Sequence, residues 1–114
     1  MTRSIRTLLP LAAILGACAL TVQAQTPLPE PTALVDQQHC MFCHTPGAPF
    51  LAPSFHQIAE HYRKLPDANV MLEQKLRIGG RAHWGNTSMR LPEERGGPLS
   101  PEDAHTLVIW VMSH

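Results

Sequence analysis

The sequence is short of the material from which small proteins usually build themselves. Aromatic residues make up 5% of the 114 positions and apolar residues 44%, a thin stock for a self-sufficient core at this length. Charge of one sign is not in excess. Nine Lys and Arg face nine Asp and Glu, so the electrostatic footprint of a nucleic-acid-binding surface is missing. No stretch alternates apolar and polar residues as a half-buried strand does, no segment repeats, and no apolar run is long enough for a stable membrane span. One small domain built from such stock needs a staple: disulfides, a metal or a cofactor. What the chain does have is eleven prolines and three cysteines, and both turn out to be informative.

The N-terminal segment belongs outside the fold. Arg3 and Arg6 precede an apolar run from Leu8 to Leu20, broken once by Pro10, and Val22-Gln23-Ala24 supplies small residues at the two positions a signal peptidase reads. Residues 1–24 are expected to be a removed signal peptide, which leaves seven cationic against nine acidic residues and points to the bacterial periplasm. Leu15-Gly16-Ala17-Cys18 also resembles a lipobox; if it were used, lipidated Cys18 would tether the protein to a membrane. Residues 25–31, with Pro27, Pro29 and Pro31, read as an extended leader, and residues 32–114 as the domain.

Within that domain the pattern is all-α, four to five short helices joined by two long loops. Thr32 is placed to cap a helix running to about Cys43. Ser54 caps a second, with Phe55, Ile58, Ala59 and Tyr62 on one face, and Asp67 a third that Gly79-Gly80 ends. Ser100-Pro101-Glu102-Asp103 opens the last helix with a hydroxyl cap, proline at the first position and acids in the first turn. Thr45–Pro53 and Arg81–Leu99 read as irregular, and a loop as long as the second is out of place in a compact domain unless it has a task.

Cys40-Met41-Phe42-Cys43-His44 is the most informative stretch. C-x-x-C-H is the attachment signature of c-type haem. On a helix, positions i, i+3 and i+4 share a face, so two thiols and an imidazole can address one flat object. Cys40 and Cys43 would add across the haem vinyl groups as thioethers while His44 ligates the iron. A disulfide between the two cysteines would leave His44 and the missing core unexplained. Cys40, Cys43, His56 and His61 also satisfy zinc-finger spacing, but Pro46 and Pro49 oppose the required hairpin and the basic surface is absent.

The other face of the iron needs its own ligand. Met41 lies inside the motif, and Met71 and Met112 fall within expected helices, where packing is the ordinary role. Met89 and His83 both lie in the long second loop, which could fold over the cofactor, and Met89 is the preferred of the two. A thioether is soft and favours Fe(II), so His/Met ligation raises the reduction potential.

From about Pro31 to Ser113 the chain resembles the small class I cytochromes c of bacterial periplasms. The matching pieces run in order: the C-x-x-C-H pentapeptide; Pro53-x-Phe55 with Ile58-Ala59-x-x-Tyr62; Lys75-Leu76-Arg77-x-Gly79; Trp84-Gly85 with Met89 beyond; Leu99-Ser100-x-Glu102-x-Ala104; and Trp110-Val111-Met112-Ser113. The resemblance implies that the Pro53 carbonyl accepts from Nδ1 of His44, that Trp84 bonds a haem propionate, and that Lys75 pairs with one where relatives often carry arginine. It implies His44 and Met89 as the axial iron ligands. Departures are His39 and Ala52 where relatives commonly have glycine, Ser88 rather than proline before Met89, and a longer stretch from Arg90 to Pro98.

The function expected is electron transfer without substrate turnover: one covalent haem c cycling between Fe(III) and Fe(II), with periplasmic redox proteins such as a reductase, oxidase or dehydrogenase as partners. A monomer is expected, binding no nucleic acid and reaching a membrane only through Cys18. The alternatives are a dedicated cytochrome subunit of a periplasmic dehydrogenase and a haem-based ligand sensor.

Overall fold

The computed structural model describes residues 23–81 and 87–114. Its elements are helices α1 (Thr32–Gln37), α2 (Phe55–Tyr62), α3 (Ala68–Ile78), α4 (Pro92–Arg95) and α5 (Pro101–Met112), with a 3₁₀ turn at Cys40–Phe42 between α1 and α2. Among the described residues the architecture is all-α, as anticipated from the sequence. Residues 1–22, which hold most of the expected signal peptide and Cys18, lie outside the described residues, as do Trp84 and His83.

α5 organises the core. Its buried residues Ala104, Leu107, Val108 and Trp110 follow helical spacing, and the face they form packs against α1, α2 and α3. From α2 come Phe55, Ala59 and Tyr62, one turn or two apart, and from α1 comes Val35. Phe55 meets Trp110 edge to face at 4.8 Å between ring centroids, an arrangement the ring quadrupoles favour. The Ser100 hydroxyl accepts from the Asp103 N–H at 3.0 Å, as expected of the cap. Residues 23–31 run outside the helices, held to the end of α5 where the Leu28 N–H donates to the Ser113 hydroxyl at 2.8 Å.

Three local expectations are corrected. α1 stops at Gln37 rather than Cys43, because His39 adopts the left-handed conformation at φ 51° and breaks the helix. Thr32 is the first helical residue and not the cap, which falls at Pro31 without a side-chain bond. Asp67 does hold the cap position of α3, but in left-handed geometry and with no side-chain bond to the helix. The fourth difference is an addition. The stretch from Arg81 to Leu99, read as irregular, contains α4, started by Pro92 at its first position.

Candidate functional site

The cysteine pair and His44 are presented by a turn, not by a continuous helix. After the left-handed His39 the chain winds through the 3₁₀ turn, and the His44 N–H still donates to the Cys40 carbonyl at 3.0 Å. That i to i+4 bond keeps His44 over Cys40, so the shared face survives although the helix does not. Cys40 and Cys43 carry no disulfide. His56 lies exposed on α2 beside Glu60, and among the described residues no three His, Cys, Asp or Glu converge as metal ligands would.

His44 is held by the start of α2. Ser54 and Gln57 form a reciprocal capping box, the Ser54 hydroxyl accepting from the Gln57 N–H at 3.1 Å and the Gln57 side chain from the Ser54 N–H at 3.0 Å. Backbone bonds from the Phe55 and His56 N–H groups to the Thr45 and Pro46 carbonyls lace the first loop to the same helix end. The Pro53 carbonyl, next to that cap, accepts from His44 Nδ1 at 2.7 Å. A proton fixed on Nδ1 leaves Nε2 as the basic nitrogen, the state of a metal-ligating imidazole. Burial lowers the His44 pKa, with the Pro53 bond opposing and the Arg95 charge assisting. The shift favours the neutral imidazole, the form that ligates a metal. On its other side the His44 ring stacks on Phe55 at 5.5 Å.

Met89 reaches the site by a different device. Gly80 and Met89 exchange two backbone hydrogen bonds, 2.8 and 2.9 Å, in an isolated antiparallel bridge. Gly79 makes that approach feasible. It sits at φ 65°, and a Cβ there would stand 3.0 Å from the Met89 and Arg90 carbonyl oxygens. Downstream, α4 fastens the same loop from the other end. Its Arg95 Nη2 donates to the Leu76 carbonyl at 2.6 Å and its Nε to the Arg90 carbonyl at 3.1 Å. Gly96 lies so close to α1 that a Cβ would fall 1.6 Å from the Gln37 carbonyl oxygen, and Gln38 donates to the Gly97 carbonyl at 3.0 Å.

Cys40, Cys43, His44, Pro53 and Met89 all line one cavity of about 1020 Å³, at the upper end for a small-molecule site. Phe42, Phe50 and Leu51 stand exposed at its border. The residues fit a haem by their chemistry. Two thiols, a neutral imidazole with a free Nε2 and a thioether are the donors a covalently bound haem c takes. Burial raises the Cys40 pKa, the Arg95 charge and a backbone bond only partly offsetting it, so the setting prefers an uncharged sulfur such as a thioether. Lys75 also lines the cavity, yet its ammonium donates to the Gly79 carbonyl at 3.3 Å and to the Arg81 carbonyl. Arg95 lines the cavity too, and sequence reasoning passed over it, since nothing marks a surface-like Glu-Glu-Arg run as inward-facing.

No family model matches the chain. Cytochrome c-551 of Allochromatium vinosum is 30% identical over 87 residues, covering 72% of this chain and 88% of that protein. Cytochrome c-552 of Hydrogenobacter thermophilus is 27% identical over 103 residues, 90% of this chain and 93% of that one. Among solved structures, wild-type Nitrosomonas europaea cytochrome c552 superposes with a TM-score of 0.62 at 26% identity, over 72% of this chain and 96% of its own.

Proposed function

This chain belongs to the small class I c-type cytochromes, carrying covalent haem c, and from that premise we propose that it is an exported one-electron carrier of the bacterial periplasm. The observation that carries the reading is the setting of His44: Nδ1 tied to the Pro53 carbonyl at 2.7 Å, Nε2 left basic, and Cys40, Cys43 and Met89 bordering the same cavity. Bound haem supplies the Fe(III)/Fe(II) couple.

Each residue then has a task. Cys40 and Cys43 hold the cofactor by thioethers, so that little protein need enclose it. His44 and Met89 would hold the iron between them, and a thioether donor from Met89 would favour its reduced state. Pro53 orients His44 and makes it a better ligand. Trp84 and Lys75 belong with the propionates, Lys75 on condition that its ammonium leaves the carbonyls of Gly79 and Arg81. Electrons pass to and from periplasmic redox proteins that meet the exposed rim at Phe42, Phe50 and Leu51, without substrate turnover in the chain itself.

The test is a visible absorption spectrum of the exported protein, oxidised, then dithionite-reduced, then under carbon monoxide. A c-type reduced spectrum, a weak red thioether-to-iron band lost in Met89→Ala, and no response to carbon monoxide are expected. A carbon monoxide shift in the unmutated protein would show an open sixth position and overturn the ligand assignment. Absence of haem would overturn the reading altogether.

A further inference from the structure

Among the described residues of the methionine loop, one buried polar atom has no hydrogen-bond partner. Two of the three guanidinium nitrogens of Arg95 are committed, Nε to the Arg90 carbonyl and Nη2 to the Leu76 carbonyl. Nη1 is buried and has no hydrogen-bond partner. A buried N–H of a charged group without an acceptor is costly enough that native proteins rarely keep one. Arg95 lines the cavity, so the unused donor belongs to the cofactor's surroundings.

The nature of the missing acceptor follows from charge. Of the described Lys, Arg, Asp and Glu residues bordering the cavity, Lys75, Arg90 and Arg95 are cationic and Glu94 alone is acidic. Glu94 is engaged by the Leu91 N–H at 3.1 Å as part of the α4 cap. Glu93 also acts on Arg95 but stands exposed on α4. A cavity with surplus positive charge and an unfilled N–H suits a carboxylate brought in by the occupant, and haem has two propionates.

We propose that Arg95 is a haem-binding residue whose Nη1 donates to a propionate. The inference rests on the haem reading of the cavity and adds to it a contact that lies in the extra residues after Met89. One guanidinium then joins three things: the cofactor carboxylate, the C-terminal turn of α3 through Leu76, and the loop carrying Met89 through Arg90. Its fork geometry suits the task, since a planar guanidinium can hold carbonyl and carboxylate oxygens at once.

The experiment uses the haem-loaded protein labelled with ¹⁵N-arginine, reduced so that it is diamagnetic. The c-type absorption spectrum is recorded first, so that a failure of the haem reading shows itself separately. Proton cross-relaxation between the Arg95 Nη1 hydrogens and a propionate methylene is expected. Cross-relaxation confined to Gln38, whose buried Oε1 also lacks a partner, or to water would overturn the proposal. As a second readout, Arg95→Gln should lower the reduction potential, because it removes a cation that disfavours Fe(III) and unmasks a propionate. Arg95→Lys, which keeps the charge but cannot fork, should fall between. An unchanged potential in Arg95→Gln, with the thioether-to-iron band intact, would also overturn it. If the substitution loosens the loop and the band is lost, the resonance measurement on the unmutated protein decides.

Discussion

At Gly96 a single methyl group separates a fastened loop from a loose one. The φ there is 174°, so the glycine is not needed for its conformation. It is needed for space, because a Cβ would stand 1.6 Å from the Gln37 carbonyl oxygen. Gly96→Ala must push α4 away from α1, and a loss of roughly 2 kcal/mol is expected from such overpacking, read as a lower denaturant midpoint with haem still attached. His39 poses the opposite case. It holds φ 51° before the first cysteine, where a side chain costs about 1 kcal/mol. Its compensation is a ring contact with Phe42 at 5.3 Å. His39→Gly should therefore raise the unfolding midpoint modestly, by no more than about 1 kcal/mol in free energy. The same backbone accounts for a departure visible in the sequence. Relatives commonly have glycine at this place, and the left-handed conformation explains why. Ala52 has no positive φ, so alanine replaces glycine there without strain.

Among the elements, the caps at Ser54 and Ser100 were legible in the sequence, because a serine ahead of a helical run offers its hydroxyl to the first turn; the reciprocal bond from Gln57 was not. So were the apolar faces of α2 and α5. The end of α1 was not. A run of helix-compatible residues gives no local sign that His39 will turn left-handed; the constraint comes from presenting Cys40, Cys43 and His44 to one cavity. Nor was α4 legible, since four residues are too few for periodicity and its anchors are backbone carbonyls on distant elements. Thr32 and Asp67 carried cap-forming side chains that the structure does not use as caps. Residue type marks where a helix can start, and the path of the incoming chain decides whether the side chain can reach back. The Gly80–Met89 bridge is likewise a pairing that no propensity announces. Its dependence on Gly79 is testable. Gly79→Ala combines a strained φ of 65° with contacts at 3.0 Å to two carbonyl oxygens. It should cost about 1–2 kcal/mol, and the thioether-to-iron band should weaken before the helical circular dichroism does.

For the molecule as a whole, the cavity is large relative to the core around it. The buried cluster centres on Val35, Phe55, Leu99, Ala104, Leu107 and Trp110, and beside it lies a space of about 1020 Å³ that the occupant has to fill. Small domains with so little apolar burial depend on a cofactor for stability. A Cys40→Ser, Cys43→Ser double variant, unable to attach haem, is expected to lose most of its helical circular dichroism and its cooperative thermal transition; a cooperative, helical apoprotein would refute this. The same economy bears on exchange at the proposed sixth position. Met89 is stitched to Gly80 on one side, and on the other its loop is pinned to α3 and α1 through Arg95, Gly96 and Gln38. A sulfur so held would stay beside its place if it let go, and would rebind before an outside ligand could replace it. If Met89 ligates the iron, its replacement would be gated by local unfolding of the loop, and the centre would be kinetically inert toward small molecules while its edge stayed open to electrons.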